Sequence, residues 1–246
     1  MTGLARRLAR GLVDQVPRDH WEGERAFRKR RRVVLGTAVA GTVLLNRSLG
    51  AEPDSTAFYV GTAAVATTWA AGGVAAGRLH LGRIEGPGEV LRRPLVTPVA
   101  TGVVAFAGFY GCALVAQRIP FLERAITSVL SFAHEGSTPW VLATTLANGA
   151  AEEVFFRGAL YAAIAEPHQV AVSTAAYTAS TLGTKNPALV LAAGVMGTLF
   201  GLQRRASGGI QAPLLTHLTW STLMLRYLPP LFRRTPRAPD WLPPRP

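Results

Sequence analysis

The apolar residues of the chain are gathered into long runs and are not spaced at the intervals of an amphipathic helix or a strand. A run of about twenty apolar residues is long enough to cross the hydrocarbon core of a bilayer as a helix. The pattern therefore predicts an all-α protein, a polytopic transmembrane helix bundle of six to eight spans. The runs cover residues 33–45, 55–77, 95–116, 138–165, 170–182, 187–203 and 210–228, with a shorter and more polar stretch at 119–134.

The same pattern divides the chain into three parts, of which residues 33–228 form the transmembrane helical domain. Residues 1–32 are basic, and leucines at positions 4, 8 and 12 recur on one face. This spacing predicts an N-terminal amphipathic helix on the membrane surface. Residues 229–246 form a tail rich in proline and arginine. Positive charge favours the cytoplasmic side, so we predict a multi-pass protein of the plasma membrane with a cytoplasmic N-terminus.

Composition and charge agree with a membrane protein and argue against nucleic acid as a partner. The chain is 49% hydrophobic and 16% charged, whereas a soluble domain carries about a quarter charged residues. The net charge of +12 could suggest nucleic acid. However, the positive residues lie at the edges of apolar runs, where they set topology and bind anionic lipid headgroups. The content of arginine and alanine is typical of a GC-rich bacterial genome. The edge residues are Arg28 to Arg32, Arg78, Arg83, Arg92, Arg93, Arg204, Arg205, Arg233 and Arg234.

Two groups of polar residues interrupt the apolar runs. Glu152, Glu153 and Arg157 lie within residues 138–165, and each such charge costs roughly 2.5–3.5 kcal/mol at the centre of a membrane. Glu153 and Arg157 are four residues apart and are expected to pair, whereas Glu152 points about 100° away. His217 and Ser221 share a helix face one turn apart. We expect the two groups to meet in one site; the alternatives are an ion pair near a helix end and a histidine that serves packing.

These residues resemble the CPBP family of intramembrane metalloproteases, which includes the CAAX prenyl endopeptidases and Abi-type, bacteriocin-processing proteins. Glu152, Glu153 and Arg157 match the family's first motif, Glu-Glu-x-x-x-Arg. His217 matches its third motif, with Ser221 at the position of a small polar residue. The resemblance covers residues 138–228. It breaks at the second motif, Phe-x-x-x-His, where this chain has Tyr177 and then Thr181 in place of the histidine.

The resemblance implies an intramembrane endopeptidase that cleaves a membrane-associated protein or peptide substrate. Glu152 would be the general base that activates a water, and Arg157 would orient Glu152 and Glu153. His217 would bind zinc or polarise the carbonyl, and Ser221 would help to hold the oxyanion. The metal ligands would be Glu152 and His217, although a zinc site normally uses three protein ligands and Thr181 replaces one of them. Tyr177 and Thr181 are expected to line the same site.

Two further questions stay open at the level of sequence. The chain is either an active protease or a catalytically impaired relative that acts as a membrane binding or regulatory component, with a small transporter as a third reading. Gly197 and Gly201 form a G-x-x-x-G pair. Such a pair predicts a close helix contact, either inside the bundle or between the two chains of a homodimer.

Overall fold

The structure is a computed structural model that describes residues 22–85, 90–136 and 138–232. In this part of the chain the architecture is a bundle of eight main helices, so the predicted all-α class is confirmed. Both ends of the chain, which carry the predicted surface helix and most of the tail, lie outside the described residues. The helices are α1 (Glu24–Ser48), α2 (Thr56–Ala75), α3 (Val96–Ala116), α4 (Pro120–Glu135), α5 (Thr138–Glu152), α6 (Gln169–Thr181), α7 (Pro187–Ser207) and α8 (Gln211–Leu231).

A π-helical segment, a 3₁₀ turn and a pair of short strands were not predicted. Helix α5 continues without a break into a π-helical segment, Glu153–Leu160, and then into a last α-helical turn, Tyr161–Ala163. A 3₁₀ turn, Leu182–Thr184, follows α6. The loop between α2 and α3 contains two antiparallel two-residue strands, β1 (Ile84–Glu85) and β2 (Leu91–Arg92). The π segment is the notable one, because π-helices are rare overall and those that occur often lie at functional sites.

Local sequence signals explain where several helices begin and end. The hydroxyl of Ser55 accepts a hydrogen bond from the Phe58 amide at 3.1 Å and caps α2. The side-chain oxygen of Asn186 accepts from the two amides of the first turn of α7, which opens with Pro187. The same helix ends at Gly208, whose φ of 69° is readily adopted by glycine. These ends fix the length of α7, which lies beside the polar site.

Small residues allow the helices to approach closely around an aromatic core. Trp69 of α2 is fully buried, and its indole lies 4.7 Å from the Phe155 ring and 5.0 Å from the Phe156 ring, centroid to centroid. Gly41 of α1 faces the same indole, and a Cβ added there would meet its ring atoms. Gly73 packs against Val154 in the same way. The core therefore joins α1 and α2 to the π segment that carries the charged residues.

Apolar side chains also cover much of the outer surface. Only 17% of the most apolar stretch of α3 is buried, although a helix of this composition in a water-soluble protein would lie in the core. Among the described residues, two helices, Val96–Ala116 and Pro187–Ser207, are long and apolar enough to cross a membrane by length and composition. The predicted count of six to eight spans is not confirmed by this measure. Exposed apolar residues include Leu35 and Val39 of α1, Val96 and Val104 of α3, and Leu191 and Val195 of α7.

The observed helices do not stop at the domain boundaries suggested by the sequence. Helix α1 begins at Glu24, within the basic N-terminal segment, and runs on into the first apolar run. Helix α8 continues to Leu231, past residue 228 and through two prolines. Its last carbonyls have partners outside the helix, since Pro229 O lies 3.0 Å from His134 Nε2, and Leu231 O accepts from Gln117 Nε2 at 2.8 Å.

The prediction that the basic clusters contact lipid headgroups is wrong for two arginines. Arg30 is 1% exposed, and its guanidinium donates to the Glu22 carboxylate at 2.7 Å. Arg204 is 7% exposed, and its Nε donates to the backbone carbonyl of Arg157 at 2.8 Å. A buried charge requires such partners, because the protein interior does not replace its lost hydration otherwise. Arg205, the neighbour of Arg204, is exposed as expected.

Candidate active site

The π segment places a carboxylate and a guanidinium side by side in the interior. Glu153 and Arg157 are both 0% exposed, and Arg157 Nη1 donates to Glu153 Oε1 at 3.1 Å. The pair predicted from their spacing is confirmed. Arg157 also donates from Nη2 to the backbone carbonyl of Gly197 in α7, at 3.2 Å. The ion pair thus connects the π segment with a second helix and lies in the protein interior.

His217 of α8 meets the same carboxylate from the other side. Its Nδ1 lies 3.0 Å from Glu153 Oε1, so a single carboxylate oxygen receives both Arg157 and His217. The imidazole stacks on Phe200 of α7 with centroids 4.7 Å apart. Because an ionised carboxylate only accepts hydrogen bonds, this contact assigns the proton to Nδ1. The sequence prediction that the two polar groups meet is confirmed for these residues.

The second ring nitrogen of His217 faces α5. A Cβ added at Gly149 would lie 3.4 Å from His217 Nε2. Gly149 is one helical turn before Glu153, so Nε2 lies against the same stretch of helix that supplies the carboxylates. No side chain at position 149 covers the ring. The imidazole is therefore held at Nδ1 and keeps Nε2 for another partner.

Glu152 is held differently from its neighbour. Its side chain is half-buried, and its Oε2 accepts a hydrogen bond of 2.6 Å from the Tyr177 hydroxyl of α6. Within the described residues, the other oxygen of Glu152 has no hydrogen-bond partner. The Tyr177 ring lies beneath the Arg157 guanidinium, 4.5 Å from the ring centroid, a distance that suits a cation–π contact. Tyr177 therefore contacts two residues of the first motif, Glu152 through its hydroxyl and Arg157 through its ring.

For three of the site residues, the described hydrogen bonds do not show the expected role, which stays a prediction. Thr181 donates to the carbonyl of Thr178 at 2.8 Å, a bond that a hydroxyl near a helix end often makes. Ser221 is 5% exposed, but among the described residues no hydrogen bond joins it to either carboxylate. Arg157 does not orient both carboxylates, because in this part of the chain it binds Glu153 and Tyr177 binds Glu152.

The glycine pair of α7 forms a contact inside the bundle. A Cβ at Gly197 would lie 3.2 Å from the Tyr177 ring, and a Cβ at Gly201 would lie 3.1 Å from Val170. Both contacts are with α6. The close approach also brings the Gly197 carbonyl within reach of Arg157. Of the two alternatives for this glycine pair, a contact inside the bundle is therefore the observed one.

Sequence reasoning missed several residues around the site. Phe200 stacks on His217, and Arg204 binds the carbonyl of Arg157. Phe200 lies three residues after Gly197 and Arg204 lies seven residues after it, so their shared helix face could have been recognised. Gln203 donates to the Thr216 hydroxyl at 2.7 Å, and Thr216 donates to the Pro98 carbonyl at 2.9 Å. This buried chain lies next to His217 and links α7, α8 and α3.

The donor set does not fit the zinc site that the resemblance implies. Such a site normally takes three protein ligands, and the described residues contain no group of three or more His, Cys, Asp or Glu side chains placed to hold a metal ion. Glu153 Oε1 already receives Arg157 and His217, and the Arg157 guanidinium brings positive charge to the point where a cation would bind. The chemistry available to these side chains is that of a carboxylate, an imidazole and a phenol.

A comparison with protein families agrees with this geometry. Residues 134–223 match the model described as type II CAAX prenyl endopeptidase Rce1-like. The matched region contains both glutamates, Arg157, Tyr177 and His217, and this part of the chain is similar to the CPBP and CAAX protease family. No curated protein and no solved structure matches the chain.

Proposed function

We propose that the protein is an intramembrane endopeptidase that hydrolyses peptide bonds of a membrane-associated protein or peptide by means of a water activated by Glu152. The observation that carries the proposal is the unequal treatment of two adjacent carboxylates. Glu153 is fully buried, with Oε1 between Arg157 and His217 and Oε2 without a described partner. Glu152 is half-buried, and its oxygen without a described partner therefore lies on the more accessible of the two side chains. A general base needs such an oxygen within reach of the proton that it accepts.

In the proposed reaction, Glu152 Oε1 accepts a proton from a water molecule as the water oxygen attacks the carbonyl carbon. The Tyr177 hydroxyl holds the opposite oxygen. When the tetrahedral intermediate collapses, the carbon–nitrogen bond breaks and Glu152 returns its proton to the departing amine. The products are a carboxylic acid and an amine, which exchange a proton to give the carboxylate and the ammonium, and Glu152 regains its starting state. A positioned acid or base of this kind contributes roughly 10²–10⁴ in rate.

In the proposed reaction, His217 polarises the carbonyl group of the substrate. Glu153 holds the imidazole through Nδ1, and the proposed step uses the ring with a proton on each nitrogen. Nε2–H then donates to the carbonyl oxygen and stabilises the negative charge that develops there. Arg157 keeps Glu153 in place. Ser221, one turn after His217, stays a prediction as a second donor to the oxyanion.

The membrane setting completes the proposal. Helices α1, α2, α3, α7 and α8 have 20 to 25 residues, and 20 residues of helix rise about 30 Å. The rod from residue 138 to residue 163 is longer still. We therefore retain a multi-pass arrangement of six to eight spans with the N-terminus in the cytoplasm. The exposed basic side chains at the start of α1 would contact anionic lipids.

The test is peptide cleavage by purified protein in lipid vesicles. The panel contains a prenylated C-terminal peptide, the same peptide without the lipid, and a transmembrane peptide. We expect Glu152→Gln to lower cleavage about 100-fold or more, because it removes the general base. Glu52→Gln, which alters an exposed glutamate in the loop after α1, should leave cleavage unchanged. Equal cleavage by the wild type and Glu152→Gln would refute the assignment, and a folded wild type that cleaves no peptide would favour a non-catalytic role.

A further inference from the structure

Helix α6 contributes a hydrogen-bond donor to the site one turn before the position where the family motif would place it. The resemblance puts the second-motif histidine at position 181, but the Thr181 hydroxyl donates to the carbonyl of Thr178. The Tyr177 hydroxyl donates to Glu152 Oε2 at 2.6 Å. A motif with phenylalanine at position 177 would have no hydroxyl to offer there. Helix α6 therefore carries both the donor, Tyr177, and the position at which the sequence departs from the motif, Thr181.

The surroundings of Tyr177 fix the position of its hydroxyl. Its ring lies 4.9 Å from the Phe156 ring, edge to face, and 4.5 Å from the Arg157 guanidinium. On the side of α7 it contacts Gly197, where a Cβ would lie 3.2 Å from the ring. An aromatic side chain has two rotatable bonds, and these contacts restrain both. The hydroxyl is therefore directed at Glu152 by packing and does not depend on the hydrogen bond for its place.

We infer that Tyr177 is a positioning residue for Glu152 and supplies the contact that Thr181 does not make. By holding Oε2, it orients the carboxylate so that Oε1 is presented to water. The inference rests on the proposed function, in which Glu152 is the general base. Tyr177 itself does not exchange a proton with the substrate in this account. Its contribution appears in the rate of the chemical step and not in the binding of the peptide.

The first experiment compares Tyr177→Phe with the wild type in the vesicle assay. The variant keeps the ring and its packing and loses the hydroxyl. We expect kcat to fall about tenfold or more, the usual effect of losing a hydrogen bond to a charged group, while KM stays within about twofold. Tyr59→Phe is the matched control, because the Tyr59 hydroxyl donates to the Asp54 carboxylate at 2.9 Å on the exposed surface. It should leave both constants unchanged.

The second experiment asks whether Tyr177 acts through Glu152. Glu152→Asp shortens the side chain by one methylene and withdraws the carboxylate from the hydroxyl. In that background, Tyr177→Phe should change kcat by less than about twofold. A drop of the same size in both backgrounds would overturn the inference. The inference would also be overturned if Tyr177→Phe were as active as the wild type while Glu152→Gln was inactive. The proposed function would survive that result. A Glu152→Gln variant equal to the wild type would instead refute the proposed function.

A third measurement does not require catalysis. In protein labelled with ¹³C at the tyrosine Cζ, the Tyr177 signal is the one that disappears in Tyr177→Phe. We expect this signal to shift in Glu152→Gln, because the acceptor changes from a carboxylate to an amide. The Tyr59 signal should not move. An unmoved Tyr177 signal would show that the hydroxyl does not bind Glu152 and would overturn the inference, whether or not the wild type cleaves any peptide.

Discussion

Helix α3 and the π segment that follows α5 are both rich in apolar residues, but they are buried to opposite extents. Helix α3 contains no Asp, Glu, Lys or Arg, and it leaves Val96 82% and Val104 71% exposed. The π segment carries Glu153 and Arg157, and both are 0% exposed. In a water-soluble protein the more apolar helix would be the buried one.

The contrast follows from the solvent around the protein. Hydrocarbon accepts valine side chains at no cost, so α3 needs protein neighbours on one side only, where it packs on α8 through Gly102. An ionised side chain has no partner in hydrocarbon and must find one within the protein. The polar residues therefore occupy the centre of the bundle. Here the centre is also where α6, α7 and α8 supply hydrogen-bonding groups to the end of α5 and its π segment.

The largest expected effect comes from breaking the buried ion pair. Arg157→Ala leaves Glu153 buried without its guanidinium, which should lower the free energy of unfolding by about 3–5 kcal/mol. Val104→Ala, on the exposed side of α3, should change it by less than about 0.5 kcal/mol. The measurement is the unfolding midpoint in mixed detergent. Equal midpoints for the two variants would show that the π segment is no more buried than α3.

A smaller effect is expected from the two adjacent arginines of α7. Arg204→Ala removes the donor to the Arg157 carbonyl and leaves that buried acceptor without it, so we expect a loss of about 1–3 kcal/mol. Arg205 is exposed and serves as the matched control, with a change near zero. The same unfolding assay measures both variants. If Arg205→Ala were the more destabilising, Arg204 would be a headgroup contact, as the sequence suggested.

The smallest expected effect is the difference in stability between alanine substitutions at two glycines, which lie in helices of similar length. Gly197→Ala places a methyl group 3.2 Å from the Tyr177 ring, and we expect it to destabilise the protein by about 1 kcal/mol. Gly108→Ala lies in α3, where an added Cβ meets nothing within 4 Å. There, the better helix propensity of alanine should be neutral or stabilising by up to about 1 kcal/mol. A reversed order of the two variants would contradict the packing of α7 on α6.

Sequence patterns predicted the helices well, because apolar runs and end signals are local. Ser55, Asn186 and Gly208 mark helix ends that can be read from neighbouring residues. The pairing of Glu153 with Arg157 was also predictable, since it depends on a spacing of four. The π segment was not, because a shift of backbone hydrogen bonds has no residue pattern of its own.

Long-range contacts explain the remaining differences. The motif comparison drew attention to Thr181, but which residue of α6 reaches Glu152 depends on how α6 packs against α7. The two glycines bring these helices together, and the Tyr177 hydroxyl is then at the carboxylate. In the same way, the sequence places Arg204 at the edge of an apolar run. Its contact with the Arg157 carbonyl follows only from the packing of the end of α7 beside the π segment. Both cases depend on the arrangement of the bundle and not on local composition.

The central claim is that charged groups distant in sequence meet in one buried site, and the contact between Glu153 and His217 tests it most directly. A double-mutant cycle with Glu153→Gln and His217→Ala, measured by unfolding in lipid, isolates the energy of that contact. The account predicts a coupling of about 1 kcal/mol or more, as for a hydrogen bond to a buried charge. Strictly additive effects would mean that the carboxylate and the imidazole do not meet, and the proposed site would be lost.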